Sequence, residues 1–166
     1  MKAWSLVTRI THWLIAVPVL LDFFVEGGDL AHEILGYVAF AATIFRIGWG
    51  VVTTDAAQFR FFPLGARALW GHGASLLSGK LVHYPGHNPM ASWVYVAIWS
   101  LVLGLGVTGY MMGLDAFWGD EWLEELHGGM SNALMALVGL HFVGIGLDSW
   151  KYKRRTWWAM FSGDKS

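Results

Sequence analysis

The chain has 166 residues, of which 55% are hydrophobic and only 14% charged, and its mean hydropathy is positive; this composition is too apolar for a soluble domain of this size and is typical of a membrane protein. Cysteine is absent, which excludes disulfides, thiolate metal sites, iron–sulfur clusters and covalently attached c-type haem, and leaves histidine as the strong nitrogen ligand. Positive and negative side chains nearly balance, so net charge gives no indication of a nucleic-acid partner and we expect none.

Four apolar segments predict four membrane-spanning helices, because each is close to the 20 or so residues that cross a bilayer. The first contains a proline that should bend it slightly, and no signal-peptide cleavage pattern follows it, so we expect it to be retained. The predicted spans are approximately residues 6–25, 30–52, 92–114 and 127–150.

The stretches between the spans differ in character. Residues 53–90 carry too many charges to cross a membrane and predict an interfacial segment, helical from about residue 63 to residue 78. Residues 115–125 predict an acidic loop. We therefore expect one all-α domain over residues 1–166, an integral membrane four-helix bundle with a cytoplasmic-side interfacial segment between helices two and three.

The distribution of charge predicts the orientation of this bundle. With a cytoplasmic N-terminus, all 11 lysine and arginine side chains fall on the cytoplasmic side, and nine of the 12 acidic side chains fall towards the opposite face. Because positive charge accumulates on cytoplasmic loops, we expect a multi-pass protein of the bacterial inner membrane with both termini in the cytoplasm and an acidic outer face.

Four histidines lie within the predicted spans and resolve into two levels. His12 and His141 fall near the inner side, and His32 and His127 near the outer side. His127 and His141 are 14 residues apart, just under four helical turns, so their rings leave one face about 21 Å apart. A single histidine in a membrane helix is as readily a core residue that bonds a neighbouring helix as it is a ligand. Two matched pairs instead favour axial ligation of iron in two b haems, the inner pair His12/His141 and the outer pair His32/His127.

Three further residues are candidate contacts of a haem propionate or a quinone. Arg46 follows His32 by 14 residues, so it lies on the same face at the inner level, where a guanidinium could pair with a propionate. Arg9 shares the face of His12, although both arginines also fit a simple positive-inside boundary. His87 lies in a turn before the third span, where it could cap that helix, contact a propionate or line a quinone site.

Two other histidines, His72 and His83, lie in the interfacial segment. We expect both to be solvated and not to act as ligands.

The motifs WSLVTRITHW, AHEILGYVAFAATIFRIGWG, YPGHNPMA and DSWKYKRRTWWAMFSGDK, in this order along the chain, resemble the prokaryotic cytochrome b561 family, which includes the cytochrome b subunits of nickel–iron hydrogenase and thiosulfate reductase. The resemblance implies a four-helix membrane protein with two b haems that passes electrons between the quinone pool and a periplasmic partner. It places the family's ligands on His12, His32, His127 and His141. One departure is that glycine follows His127, where the family often has an acidic residue.

These observations rank three functions. The first is a respiratory-chain electron conduit, as an electron-transfer subunit or a quinol:cytochrome oxidoreductase, with a periplasmic c-type cytochrome or redox enzyme docked on the acidic outer face. The second is a superoxide:quinone oxidoreductase acting at the outer haem, which the acidic face disfavours because it repels anions. The third is a histidine-lined proton or metal transporter, which would leave the matched depths of the histidines unexplained.

Overall fold

The computed structural model describes residues 4–78, 82, 84 and 87–164. Within these residues the chain is all-helical and contains no strand. Short 3-10 turns lie at Phe59–Phe61, Asp115–Phe117 and Thr156–Trp158. The α-helices are α1 (Leu6–Asp22), α2 (Leu30–Val52), α3 (Ala66–Leu77), α4 (Pro89–Met112), α5 (Glu121–Tyr152) and α6 (Ala159–Ser162).

Three helices in the described part of the chain, α2, α4 and α5, are long and apolar enough to cross a membrane. The first predicted span is shorter than expected, because α1 ends at Asp22 and not at residue 25. Its 17 residues rise about 25 Å, compared with a hydrocarbon core of about 30 Å. Three of the four predicted spans are thus supported by length and composition.

Local sequence signals explain where these helices begin. The Ser5 side chain accepts a hydrogen bond from the Thr8 amide at the start of α1, and Asn88 caps α4 in the same way by accepting from the Ala91 amide at 2.8 Å. Proline follows Asn88 in the first turn of α4, where its missing N–H costs nothing. The cap of α4 is therefore Asn88 and not His87.

The prediction of an acidic loop over residues 115–125 was wrong in its second half. Helix α5 already begins at Glu121, six residues before His127. Glu121 and Glu124 lie in its first turn, where negative charge is stabilised by the positive end of the helix dipole. The acidic residues therefore start the helix instead of interrupting it.

The helices pack in chain order, α1 against α2, α2 against α4 and α4 against α5. Their shared core is small, and many large apolar side chains point outwards, as expected where lipid covers the surface. The core cluster consists of Ala39, Phe62, Ile98, Trp99, Val102 and Leu134.

Helix α3 lies in the predicted interfacial segment and is bound to the end of α5. Lys151 donates a hydrogen bond from its ammonium to the Ser75 carbonyl at 3.4 Å. The expectation that His72 is solvated was wrong, because its side chain on α3 is only 4% exposed and meets the Tyr84 ring edge-on at 5.4 Å. Burial and the nearby Lys151 charge lower the pKa of His72, against the opposing effect of Asp148. The prediction for His83 lies outside the described residues.

Candidate functional site: two histidine pairs

The inner pair joins α1 to α5. The ring centres of His12 and His141 lie 6.4 Å apart, with an angle of 56° between the ring planes. Trp13 meets His12 edge-on at 5.3 Å, and Tyr95 on α4 meets His141 in the same way at 5.3 Å. Aromatic rings from α1 and α4 therefore flank the two imidazoles and limit the directions in which they can turn.

The outer pair joins α2 to the same helix α5. The ring centres of His32 and His127 lie 6.1 Å apart, with 65° between the planes. The structure thus brings the four histidines together in the two pairs that the sequence predicts. Since one member of each pair is on α5, the pairs are separated along it by 14 residues, or about 21 Å.

Each ring of the outer pair has a polar partner at Nδ1. Thr108 Oγ1 lies 2.8 Å from His127 Nδ1 and donates its own proton to the Gly104 carbonyl at 2.9 Å. With that proton on the Gly104 carbonyl, the hydroxyl can accept from His127 Nδ1 in the tautomer that leaves a free lone pair on Nε2. His32 Nδ1 lies 2.9 Å from Asp22 Oδ1, a charge contact without the angle of a hydrogen bond, and this contact leaves the Nε2 of His32 unused.

Arg46 lies near the inner pair, at the position that its spacing from His32 predicts. The side chain is 5% exposed, donates to the Ala57 carbonyl at 3.3 Å, and stacks over the Trp99 ring at 5.2 Å. One guanidinium nitrogen, NH1, is buried without a hydrogen-bond partner among the described residues. A buried donor of this kind is costly unless an acceptor reaches it, so this nitrogen is a candidate donor to an anionic group.

Arg9 has a different environment. It donates a hydrogen bond from its NH1 to the Phe161 carbonyl, and its Nε is buried without a partner in the described part of the chain. Both Arg9 and Phe161 line a groove of about 600 Å³ along the outside of α1. Arg9 is therefore oriented towards the C-terminal segment and this groove.

His87 lies among aromatic rings at the start of α4. Its ring centre is 4.4 Å from Tyr95, 4.8 Å from Trp4 and 4.9 Å from Phe62. Since Tyr95 also touches His141, a continuous aromatic contact runs from His87 to the inner pair.

Sequence reasoning missed the side chains that support the histidines, namely Tyr95, Thr108 and the contact between Asp22 and His32. None of these has a sequence signal of its own, because each contact depends on how α1 and α4 pack against the neighbouring helices.

The family model of prokaryotic cytochrome b561 matches residues 3–163. The chain belongs to this family. No curated protein and no solved structure matches the chain. The match confirms the family predicted from the motifs, and membership implies a haem b-binding membrane protein of electron transport.

The histidine pairs of this cytochrome fit haem iron. An imidazole nitrogen binds a transition metal at about 2.0 Å, so with about 1.1 Å from nitrogen to ring centre on each side, rings on opposite faces of one ion have centres about 6.2 Å apart. The measured separations are 6.1 and 6.4 Å. Within the described residues no cluster of three or more metal-ligating side chains exists. Two imidazoles per site suit a metal whose remaining ligands come from a porphyrin.

Proposed function

We propose that the chain is a transmembrane electron conduit that binds two b haems, the inner between His12 and His141 and the outer between His32 and His127. The observation that carries this proposal is the separation of the rings within each pair, 6.4 and 6.1 Å. One histidine of each pair lies on α5, which is 32 residues long. Each haem supplies a one-electron iron centre. The chain supplies the axial nitrogens and holds the two centres on opposite sides of the bilayer.

We include α1 as the fourth membrane span. Its exposed apolar residues Leu6, Ile10, Leu14, Val17 and Leu21 recur every three or four positions and form one stripe. Its buried residues are Thr8, Thr11, Ile15 and Pro18, so the buried face carries both hydroxyls of the two threonines. Apolar residues outside and polar residues inside is the pattern of a helix that packs within lipid, and a tilted or locally thinned bilayer accommodates its length.

Helix α1 also carries the proposed quinone site, in the groove beside Arg9. The groove is apolar along Leu14 and Val17, as an isoprenoid tail requires, and the buried Nε of Arg9 provides one donor for a quinone carbonyl. Trp13 lines the groove and touches His12, so a headgroup bound there would lie close to the proposed inner haem. We assign to Arg46, with its unpartnered NH1, the contact to an inner haem propionate.

The partner at the other end is proposed to be a basic periplasmic protein such as a c-type cytochrome or a redox enzyme. The connections before α2 and before α5 expose carboxylates, and no lysine or arginine occurs between residues 9 and 46 or between residues 80 and 151. The exposed acidic residues are Glu26, Asp29, Glu33, Asp115, Glu121, Glu124 and Glu125. Such a surface accelerates association with a basic patch on a partner. The association rate falls as salt screens the attraction.

The test uses the purified full chain in liposomes, with a quinol in the bilayer and a c-type cytochrome in the outer solution. We expect the quinol to reduce the haems and the cytochrome to be reduced in turn, at a rate that falls as ionic strength rises. Failure of quinol to reduce either haem would overturn the conduit. A rate indifferent to salt would overturn the acidic docking surface, and fast haem reduction by superoxide would favour reaction at the outer haem instead.

The groove is tested separately with Arg9→Met. We expect slower reduction by quinol, about tenfold for a lost charged donor worth about 1.5 kcal/mol, with both haems retained. Arg67→Met is the matched control, since Arg67 is an exposed arginine on α3 and should have no effect. Equal rates in the two variants would place the quinone elsewhere and leave the conduit itself standing.

A further inference from the structure

Asp22 makes the one carboxylate contact to a histidine of the two pairs within the described part of the chain. Its Oδ1 lies 2.9 Å from His32 Nδ1, and both side chains are mostly buried, with 23% and 28% exposed. Asp22 is the last residue of α1 and His32 is the third residue of α2. The tight connection between them includes Gly28 at φ +89°, a conformation that glycine adopts without strain, and it brings the two side chains together.

The four histidines are therefore supported unequally. His32 faces an acidic side chain, whereas His127 faces the neutral hydroxyl of Thr108 at 2.8 Å. For His12 and His141, the described residues provide aromatic neighbours but no hydrogen bond. An acceptor at Nδ1 fixes the ring orientation and the tautomer of a metal-binding imidazole and makes Nε2 a stronger electron donor, and a carboxylate does so more than a hydroxyl.

We propose that Asp22 is the positioning residue of the outer haem: by holding a carboxylate 2.9 Å from His32 Nδ1, it favours the tautomer with the proton on Nδ1, leaves Nε2 for the iron and stabilises the oxidised, more positive form. This inference rests on the proposed function, because it requires His32 to be an axial ligand. Glycine, and not an acidic residue, follows His127. The proposal therefore places the carboxylate that supports the outer haem on α1.

The alternative is that Asp22 and His32 merely join α1 to α2. A purely structural contact would affect folding and haem retention but would leave the reduction potential of a retained outer haem unchanged. The potential is therefore the quantity that separates the two roles.

The experiment is a spectroscopic redox titration of the purified full chain and of Asp22→Asn, with the low-spin ferric EPR signals recorded on the same samples. Mutation of an outer-shell partner of a metal-bound histidine typically costs about tenfold or more in metal affinity or activity. We expect the reduced-to-oxidised ratio of the outer haem to rise about tenfold at a fixed ambient potential, equal to 59 mV for one electron. The EPR signal of this haem should shift, and the inner haem should be unchanged.

Two variants control this result. Asp29→Asn removes an exposed carboxylate from the same connection and should leave both potentials near the wild-type values. Asp22→Glu keeps a carboxylate and should restore most of the potential. If Asp22→Asn loses the outer haem altogether, recovery in Asp22→Glu supports the proposal, and loss in both variants overturns it.

Two further outcomes overturn the proposal. One is an unchanged potential in Asp22→Asn with both haems bound. The other is an equal shift in Asp29→Asn, which would indicate a general charge effect. A wild-type chain with no outer haem would be a different failure, since it would remove the proposed function first.

Discussion

Replacing Asp55 by asparagine tests how the inner end of α1 is held in place. One carboxylate oxygen of Asp55 accepts from the Ser5 amide at 2.9 Å and from the Thr8 hydroxyl at 3.0 Å, and the other accepts from the Ala57 amide at 2.8 Å. Ser5 is the cap of α1, and Asp55 follows α2. The carboxylate therefore joins the two helices one turn below His12.

The expected cost follows from what an amide can and cannot replace. Asparagine offers one oxygen, so if it keeps the bond from Ala57 its NH2 group faces the Ser5 amide, and two donors oppose each other. A hydrogen bond to a charged group contributes about 1.5–3 kcal/mol. Asp55→Asn loses one such bond, and the remaining bonds go to a neutral amide instead of a carboxylate. Together these changes should lower the free energy of unfolding by about 2 kcal/mol in this half-buried position.

The effect should also depend on pH. Burial alone would raise the pKa of Asp55, but the hydrogen bonds from Ser5, Ala57 and Thr8 outweigh it and hold this pKa below its usual value. The stabilisation is then fully present above the unfolded-state pKa of about 3.9 and is lost as pH falls through the lower folded-state pKa. The difference between wild type and Asp55→Asn should shrink in that window.

The assay is unfolding of the full chain in detergent, followed by circular dichroism from pH 7 to pH 3. Asp164→Asn is the matched control, because Asp164 is an exposed carboxylate near the C-terminus. Equal stability of the two variants at pH 7, or an undiminished deficit of Asp55→Asn at the lowest pH, would contradict the role given to the Asp55 carboxylate.

Three other predictions concern packing, the inner haem and pH. A Cβ at Gly106 would collide with the Phe40 ring, whereas one at Gly104 would meet the flexible end of a methionine at 2.9 Å. In the same unfolding assay, Gly106→Ala should therefore lower the free energy of unfolding by about 1–3 kcal/mol, and Gly104→Ala should lower it clearly less. Arg46→Met should lower the total haem content, measured by pyridine haemochrome, from two b haems per chain towards one, since it removes the buried guanidinium, and an unchanged content would reject the propionate contact. The lowered pKa of His72 means that its neutral form is favoured on folding, so wild type should lose stability relative to His72→Phe as pH falls below about 6.5; parallel pH curves would contradict this.

The sequence predicts the helical class, the family and the grouping of the histidines for specific physical reasons. Charge distribution predicts the orientation of the chain, and the predicted orientation with the spacing along each helix predicts the depth of each histidine. Depth alone is enough to match His12 with His141 and His32 with His127. The structure brings the same rings within 6.4 and 6.1 Å.

What the sequence does not predict depends on contacts between elements. His72 is buried on α3, which packs against α4 and receives a hydrogen bond from Lys151 at the end of α5, and composition cannot reveal these contacts. The start of α5 was missed because Glu121 and Glu124 look like loop residues until their place in a first helical turn is known. Thr108 and Tyr95 support histidines on another helix, and only the rotation of α4 about its axis brings them there.

The most direct test of the two-haem arrangement is the haem content of the purified chain, measured by pyridine haemochrome with oxidised and reduced spectra, beside His127→Ala and His141→Ala. We expect two low-spin b haems per chain, with His127→Ala disturbing the outer haem and His141→Ala the inner. No haem, or a single haem indifferent to both substitutions, would contradict it.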